Sequence, residues 1–170
     1  MRPRHLAPVA LSILLLVAPA AATAGGTSVF AGAGPRYCAG ETAALGALRA
    51  SFGLESVLSL AVQVEGYLDG AEPTTALDFA GGQLLLVAAL PVPGPLTPEL
   101  GLGVGLLSLS PERHGTDEDL LVLNAELALR AALGPVALRL AWSLPVASRD
   151  EALAARAFEG QLLLSLGVSL

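Results

Sequence analysis

SVLSLAVQVEGYL, residues Ser56 to Leu68, changes character at every step: Leu58, Leu60, Val62 and Val64 share one parity, and Ser59, Ala61, Gln63 and Glu65 the other. Side chains on a strand point alternately to opposite faces, so this period of two predicts a β-strand with one apolar and one polar face. Whether the polar face meets water or lines an interior decides what kind of barrel or sheet the strand belongs to. The rest of the chain repeats the pattern and supplies the answer.

Turn signals divide the chain into eight such segments: Ser28 to Arg36, Ala43 to Phe52, Ser56 to Leu68, Leu77 to Leu90, Pro98 to Leu109, Asp119 to Leu133, Val136 to Ala147 and Phe158 to Leu170. Most reach the roughly 9 to 11 residues that a tilted strand needs to cross a bilayer. Leu102 and Val104 oppose Gly101, Gly103 and Gly105; Leu138, Leu140 and Trp142 oppose Arg139 and Ser143; Leu164, Leu166 and Val168 oppose Ser165 and Ser169. The first segment is short and glycine-rich, and the fourth is apolar on both parities, with Gly81-Gly82 a candidate bulge. Leu and Ala favour helix, most of all across Glu118 to Leu133, but the period of two, the glycines within segments and the hairpin signal Gly134-Pro135 favour strands.

The connections after the second, fourth and sixth segments are short, whereas those after the first, third, fifth and seventh read as longer and polar, for example SPERHGTDE from Ser110 to Glu118. Short turns at one end and long loops at the other are the asymmetry of a membrane barrel, and an even strand number puts both termini on the short-turn side.

Composition points the same way. The chain of 170 residues is 54% hydrophobic and only 14% charged, whereas a water-facing surface carries roughly 25 to 35% charged residues. If the Leu/Val face were the interior, as in a soluble lipocalin-like barrel, the coat would be glycine and alanine with a few charges. If that face meets lipid, the small residues fit the narrow interior that eight strands leave. Leu58, Leu60, Val62, Val64, Leu102, Val104, Leu138, Leu140, Trp142, Leu164 and Leu166 are therefore the expected lipid-facing residues.

Residues 1–24 read as a secretory signal, with Arg2 and Arg4 before the apolar stretch Leu6 to Ala22, and Ala22-Thr23-Ala24 forming the cleavage pattern. The mature domain is then 25–170, with seven arginines against fifteen acids, a formal charge of −8 and no lysine. Nucleic acid is excluded as a partner by the missing basic footprint. Cys38 is the single cysteine, which excludes an internal disulfide and a cysteine-built metal site; an unpaired loop thiol is its expected state.

Charges within the strands fall on the non-leucine parity: Glu65, Glu126, Arg130, Arg139 and Glu159. A two-residue turn at Gly134-Pro135 makes Arg130 and Arg139 cross-strand neighbours, which repel unless carboxylates intervene. The expected arrangement is a lumenal cluster of Glu99, Glu126, Arg130 and Arg139, joined by Arg49, acting as a plug of ion pairs, with a proton or ion path as the functional alternative. Tyr37, Tyr67, Phe79 and Phe158 fall at the long-loop ends of strands and read as a thin aromatic girdle, with Phe52 at the opposite rim.

With these residues in hand, the chain from Gly25 to Leu170 resembles the eight-stranded outer-membrane barrels of Gram-negative bacteria, of the OmpX or OmpA-transmembrane-domain kind. The resemblance implies an all-β, antiparallel, up-and-down transmembrane barrel in the outer membrane, in contact with lipid and lipopolysaccharide and inserted by the barrel-assembly machinery. The alternating tail FEGQLLLSLGVSL supplies the assembly signal through Leu166, Val168 and Leu170, although the family's terminal aromatic is replaced here by leucine. Some small barrels of this kind modify lipid A with a histidine. His114, the only histidine beyond the signal, lies in an acidic loop with no serine-histidine strand pair. Asp117-Glu118-Asp119 lacks the spacing of a calcium loop. The expected protein is thus non-enzymatic and without cofactor or metal, with a lipid A-modifying enzyme or a soluble periplasmic ligand-binding barrel as the alternatives. Its loop partners and oligomeric state are not written in the sequence.

Overall fold

A computed structural model describes residues 26–38, 40–68, 79–109, 118–150 and 158–169. The signal segment 1–24, His114, Asp117, Leu170 and the centres of three connections lie outside the described residues, as do the side chains of Phe79, Glu118 and Asp119. Eight strands form a closed barrel: β1 (Thr27–Cys38), β2 (Glu41–Gly53), β3 (Leu58–Tyr67), β4 (Phe79–Ala89), β5 (Leu96–Leu109), β6 (Glu118–Leu133), β7 (Val136–Ser148) and β8 (Gly160–Ser169). Each strand pairs antiparallel with its sequence neighbours, and β1 pairs with β8 to close the ring. Closure removes the two open edges that a sheet of this length would otherwise present.

Alternation prevails over the helix propensity of the many leucines and alanines because one face of each strand is claimed by the interior. In β6, Val122, Asn124, Glu126 and Ala128 are buried, while Leu121, Leu123, Leu127 and Leu129 are exposed. A helix over the same residues would mix the two sets on every side. The β6–β7 hairpin is tight, with Leu133 opposite Val136 and Gly134 at φ +70° as the first central residue of the turn. A positive φ at that position matches the twist of the flanking strands and favours glycine.

Four details differ from the sequence reading. The β1–β2 connection is only residues 39–40, with Gly40 at φ +77°, so the first connection on the long-loop side is short. Both strands run further than expected because Arg36 to Cys38 continue the ladder opposite Glu41 to Ala43. Cys38 is accordingly the last residue of a strand and buried, not a loop thiol. The fourth segment also carries no bulge: Gly81 and Gly82 stay in register with both neighbours. The irregularity lies instead in β7, where Leu123 faces Ala147 and Asn124 faces Pro145, leaving Val146 as the extra residue. Proline has no N–H to give the ladder, so a bulge beside Pro145 is where a strand tolerates it.

The interior is layered. At the long-loop end Leu45, Leu107, Leu120, Val122, Phe158 and Leu163 form an apolar cluster against which Tyr67 packs. The expected aromatic girdle is therefore absent at Tyr67 and Phe158, which pack into the lumen, whereas Tyr37 is exposed on the outer wall. The arginine at position 36 draws Phe158 inward, its guanidinium lying 4.7 Å from the ring centroid. Below the polar middle of the lumen, Ala61, Leu85 and Val87 make a smaller apolar layer. Leu85 and Val87 stand opposite Gly103 and Gly101 on β5.

Gly103 allows this approach. A Cβ there would strike the Leu84 carbonyl oxygen and the Leu85 Cα, both backbone atoms that cannot swing aside. Gly103→Val is expected to destabilise the barrel by about 1–3 kcal/mol or more. The measurement is the fraction of unheated protein running as the compact band on a denaturing gel; an unchanged fraction across a detergent-temperature series contradicts the packing described.

Candidate functional site

Polar and charged side chains fill the lumen in two networks. The first centres on Glu65 of β3. Arg36 donates to its Oε1 at 2.5 Å, Gln83 to the same oxygen at 2.8 Å, and Gln63 and Gln161 each to Oε2 at 2.9 Å. The Oε1 of Gln161 in turn accepts from Arg36 at 2.6 and 3.2 Å, and Asn124 extends the chain by donating to Gln83 at 3.1 Å. All of these side chains are buried. A buried carboxylate survives only when its lone pairs are met by donors, and Glu65 receives four.

The second network lies toward the short-turn end and centres on Glu126 of β6. Arg49 reaches it across the lumen from β2, Nη1 lying 3.0 Å from each carboxylate oxygen, and Arg139 donates to Oε1 at 2.5 Å. Arg139 also donates to Glu99 at 2.8 Å, and Arg130 lies 3.3 Å from the other oxygen of Glu99. Arg130 and Arg139 are direct cross-strand partners, so Glu99 sits between two like charges that would otherwise repel. The five residues Arg49, Glu99, Glu126, Arg130 and Arg139 come together from the lumenal sides of four strands, β2, β5, β6 and β7, with Glu126 and Arg130 sharing β6. Gly101 makes room for Glu126: a Cβ on it would lie 3.1 Å from the Glu126 Cβ.

Of the expected lipid-facing residues, Leu102, Val104, Leu138, Leu140, Trp142, Leu164 and Leu166 are exposed on the outer wall, and Leu58, Leu60, Val62 and Val64 on the same parity are half-buried. Leu166 and Val168 of the expected assembly signal also face outward, paired with β1 and β7. Glu159 does not join the interior; it precedes β8 and is exposed. The Glu65 network includes one arginine that sequence reasoning passed over. Arg36 lies within β1, on the inward parity of Phe30 and Cys38. The signal available was Glu65 itself, an inward carboxylate to which the reading assigned no basic partner.

Cys38 and Tyr67 meet above the Glu65 network, Sγ to hydroxyl 3.4 Å. Below the Glu126 network the lumen opens at the short-turn end into a cavity of about 260 Å³, whose lining includes Arg49, Arg130, Arg139, Glu99 and Ser51. Among the described residues no group of histidine, cysteine and carboxylate side chains has the geometry of a metal site.

Comparison with solved structures bears on the fold. The N-terminal β-barrel domain of Pseudomonas aeruginosa OprF superposes with a TM-score of 0.68 at 12% sequence identity, over 86% of this chain and 98% of that one. Neisserial surface protein A follows with a TM-score of 0.54 at 15% identity, over 85% of this chain and 96% of the other. No protein-family model matches the chain, and no curated protein matches its sequence. The protein has the fold of the eight-stranded outer-membrane barrels: closed, antiparallel and up-and-down, with nearly the whole of each relative spanned.

Removing one member of a buried ion network leaves the others charged and unpaired, which costs about 3–5 kcal/mol. Glu126→Leu leaves Arg49 without a carboxylate and Arg139 with Glu99 alone, and is expected to lower the detergent melting temperature markedly, whereas Glu159→Leu, outside the lumen, leaves it unchanged. Equal melting temperatures for the two variants, followed by near-UV circular dichroism, would show that the cluster contributes nothing.

Proposed function

We propose that this protein is a small, non-enzymatic integral barrel of the bacterial outer membrane, with a side-chain-filled lumen and with loops turned to the exterior. One observation carries the reading. The outer wall is a continuous apolar surface, including Leu48, Leu84, Leu86, Leu102, Leu127 and Trp142, and no charged side chain lies among the described outward-facing positions of the strands. The largest apolar patch on a soluble monomer is typically about 300–600 Å², whereas this surface runs around the barrel. A charge facing hydrocarbon costs about 2–4 kcal/mol at the bilayer midplane, which accounts for the confinement of every strand arginine to the lumen.

On this reading residues 1–24 are the export signal, and lipid and lipopolysaccharide surround the apolar belt. The alternating final strand is the feature the assembly machinery reads. The two networks serve as an internal brace: Glu65 receives donors from β1, β3, β4 and β8, and Glu126 from β2 and β7, so the wall is cross-linked through its centre. The same filling argues against a passive pore, since the lumen of eight strands is occupied by side chains.

The single tryptophan gives a direct test. Trp142 projects outward from the middle of β7, so brominated acyl chains in reconstituted vesicles are expected to quench most of its fluorescence, and the protein should fractionate with outer membranes. Recovery in the soluble periplasmic fraction with unquenched Trp142 would favour a soluble ligand-binding barrel. The lipid A-modifying alternative makes a different forecast: His114→Ala is expected to leave the lipid A profile by mass spectrometry unaltered, and a changed profile would favour an enzyme.

A further inference from the structure

We infer that the short-turn end of the lumen is a binding site for a small phosphate-type oxyanion, with Arg130 as its principal contact. Three observations converge there. The cavity of about 260 Å³ is far larger than a single water requires, about 10–15 Å³ on the same measure. Its lining carries three guanidinium groups, Arg49, Arg130 and Arg139, and the carboxylate of Glu99; counting Glu126, the carboxylate that pairs with Arg49 and Arg139, the ion-paired set is left with one positive charge. The exposed Glu55 on the turn at the mouth is the remaining charged lining group, and water screens it more than it does the ion-paired set.

The surplus charge is also localised. Arg49 is committed to Glu126 and Ser51, and Arg139 to Glu99 and Glu126. Arg130 touches only one oxygen of Glu99, and its buried Nε makes no hydrogen bond there. A third of its side chain is exposed, and it lines the cavity. Its cross-strand neighbour is another arginine, so an anion at Arg130 relieves a repulsion that Glu99, and Glu126 through Arg139, must otherwise offset. The guanidinium of Arg130 is a planar fork of N–H groups, which matches the geometry of phosphate oxygens. The inference rests on the lumen alone and stands whichever membrane or compartment holds the barrel.

The oxyanion could arrive as free phosphate or as the phosphate of a lipid headgroup, and the two are separable. The refolded barrel in non-ionic detergent is titrated with sodium phosphate, or with short-chain phosphatidate, at constant ionic strength made up with sodium chloride, and its melting temperature is followed. A saturable rise is expected. A tighter response to phosphatidate assigns the headgroup as source, and an equal or tighter response to inorganic phosphate assigns the free ion; either supports the site. Arg130→Gln should weaken the response about tenfold or more, the loss of one charge-assisted contact. Arg149→Gln, at the opposite end of the barrel, should leave it intact. Folding of each variant is checked by its compact gel band. No saturable rise with either probe, or the same response in Arg130→Gln as in the parent, overturns the inference.

Discussion

Eight strands closed on themselves leave a lumen only as wide as the side chains that fill it. Everything else in this structure follows from that width. Inward positions must be small, or must be matched to a partner on the facing wall. Glycine at 101, 103 and 105 and alanine at 128, 137 and 141 supply the small positions. The large inward residues are either apolar and gathered near the ends, or polar and joined to one another.

The matched partners are charged because the lumen is shared among all eight strands, and a long polar side chain can span it. Arg49 reaches Glu126 from β2 to β6, almost opposite around the ring. Arg36 joins β1 to Glu65 on β3, while Gln161 brings β8 to the same carboxylate. A buried ion pair gives little net stability compared with apolar packing of equal volume, but losing one partner is costly. The networks therefore act mainly on specificity, tying the register of distant strands to one arrangement. The two networks differ in balance. Around Glu65 the charges of Arg36 and Glu65 cancel, whereas around Glu126 the arginines outnumber the acids and the excess lies at the open end.

The outer face obeys the opposite constraint. It carries leucine where the interior carries glycine, and the pairing register keeps the two sets apart along every strand, because a slip of one residue would turn arginines outward and leucines inward. The bulge at Val146 comes after the last residue that pairs with β8, Ser143, so it disturbs the wall only near the long-loop end.

Strand identity, the inward and outward parity and the β6–β7 hairpin were legible in the sequence, because each depends on residues within a few positions of one another. Leu138, Leu140 and Trp142 against Arg139 and Ser143 is such a local pattern, as is Gly134-Pro135. Parity likewise put Glu99, Glu126, Arg130 and Arg139 on one face, but it could not say which carboxylate meets which guanidinium. That depends on strand tilt and closure, which bring β2 across to β6. The same limit hid Arg36: only the closed ring places it between Glu65 and Gln161, 29 and 125 residues away. Aromatic residues near strand ends read alike in sequence whether they face lipid or lumen, and it took the position of Arg36 to turn Phe158 inward. By itself the sequence determined which side chains share a face, since alternation is a property of the extended backbone. The tertiary structure alone decided which of them touch, since contact across a lumen is set by how the ring closes.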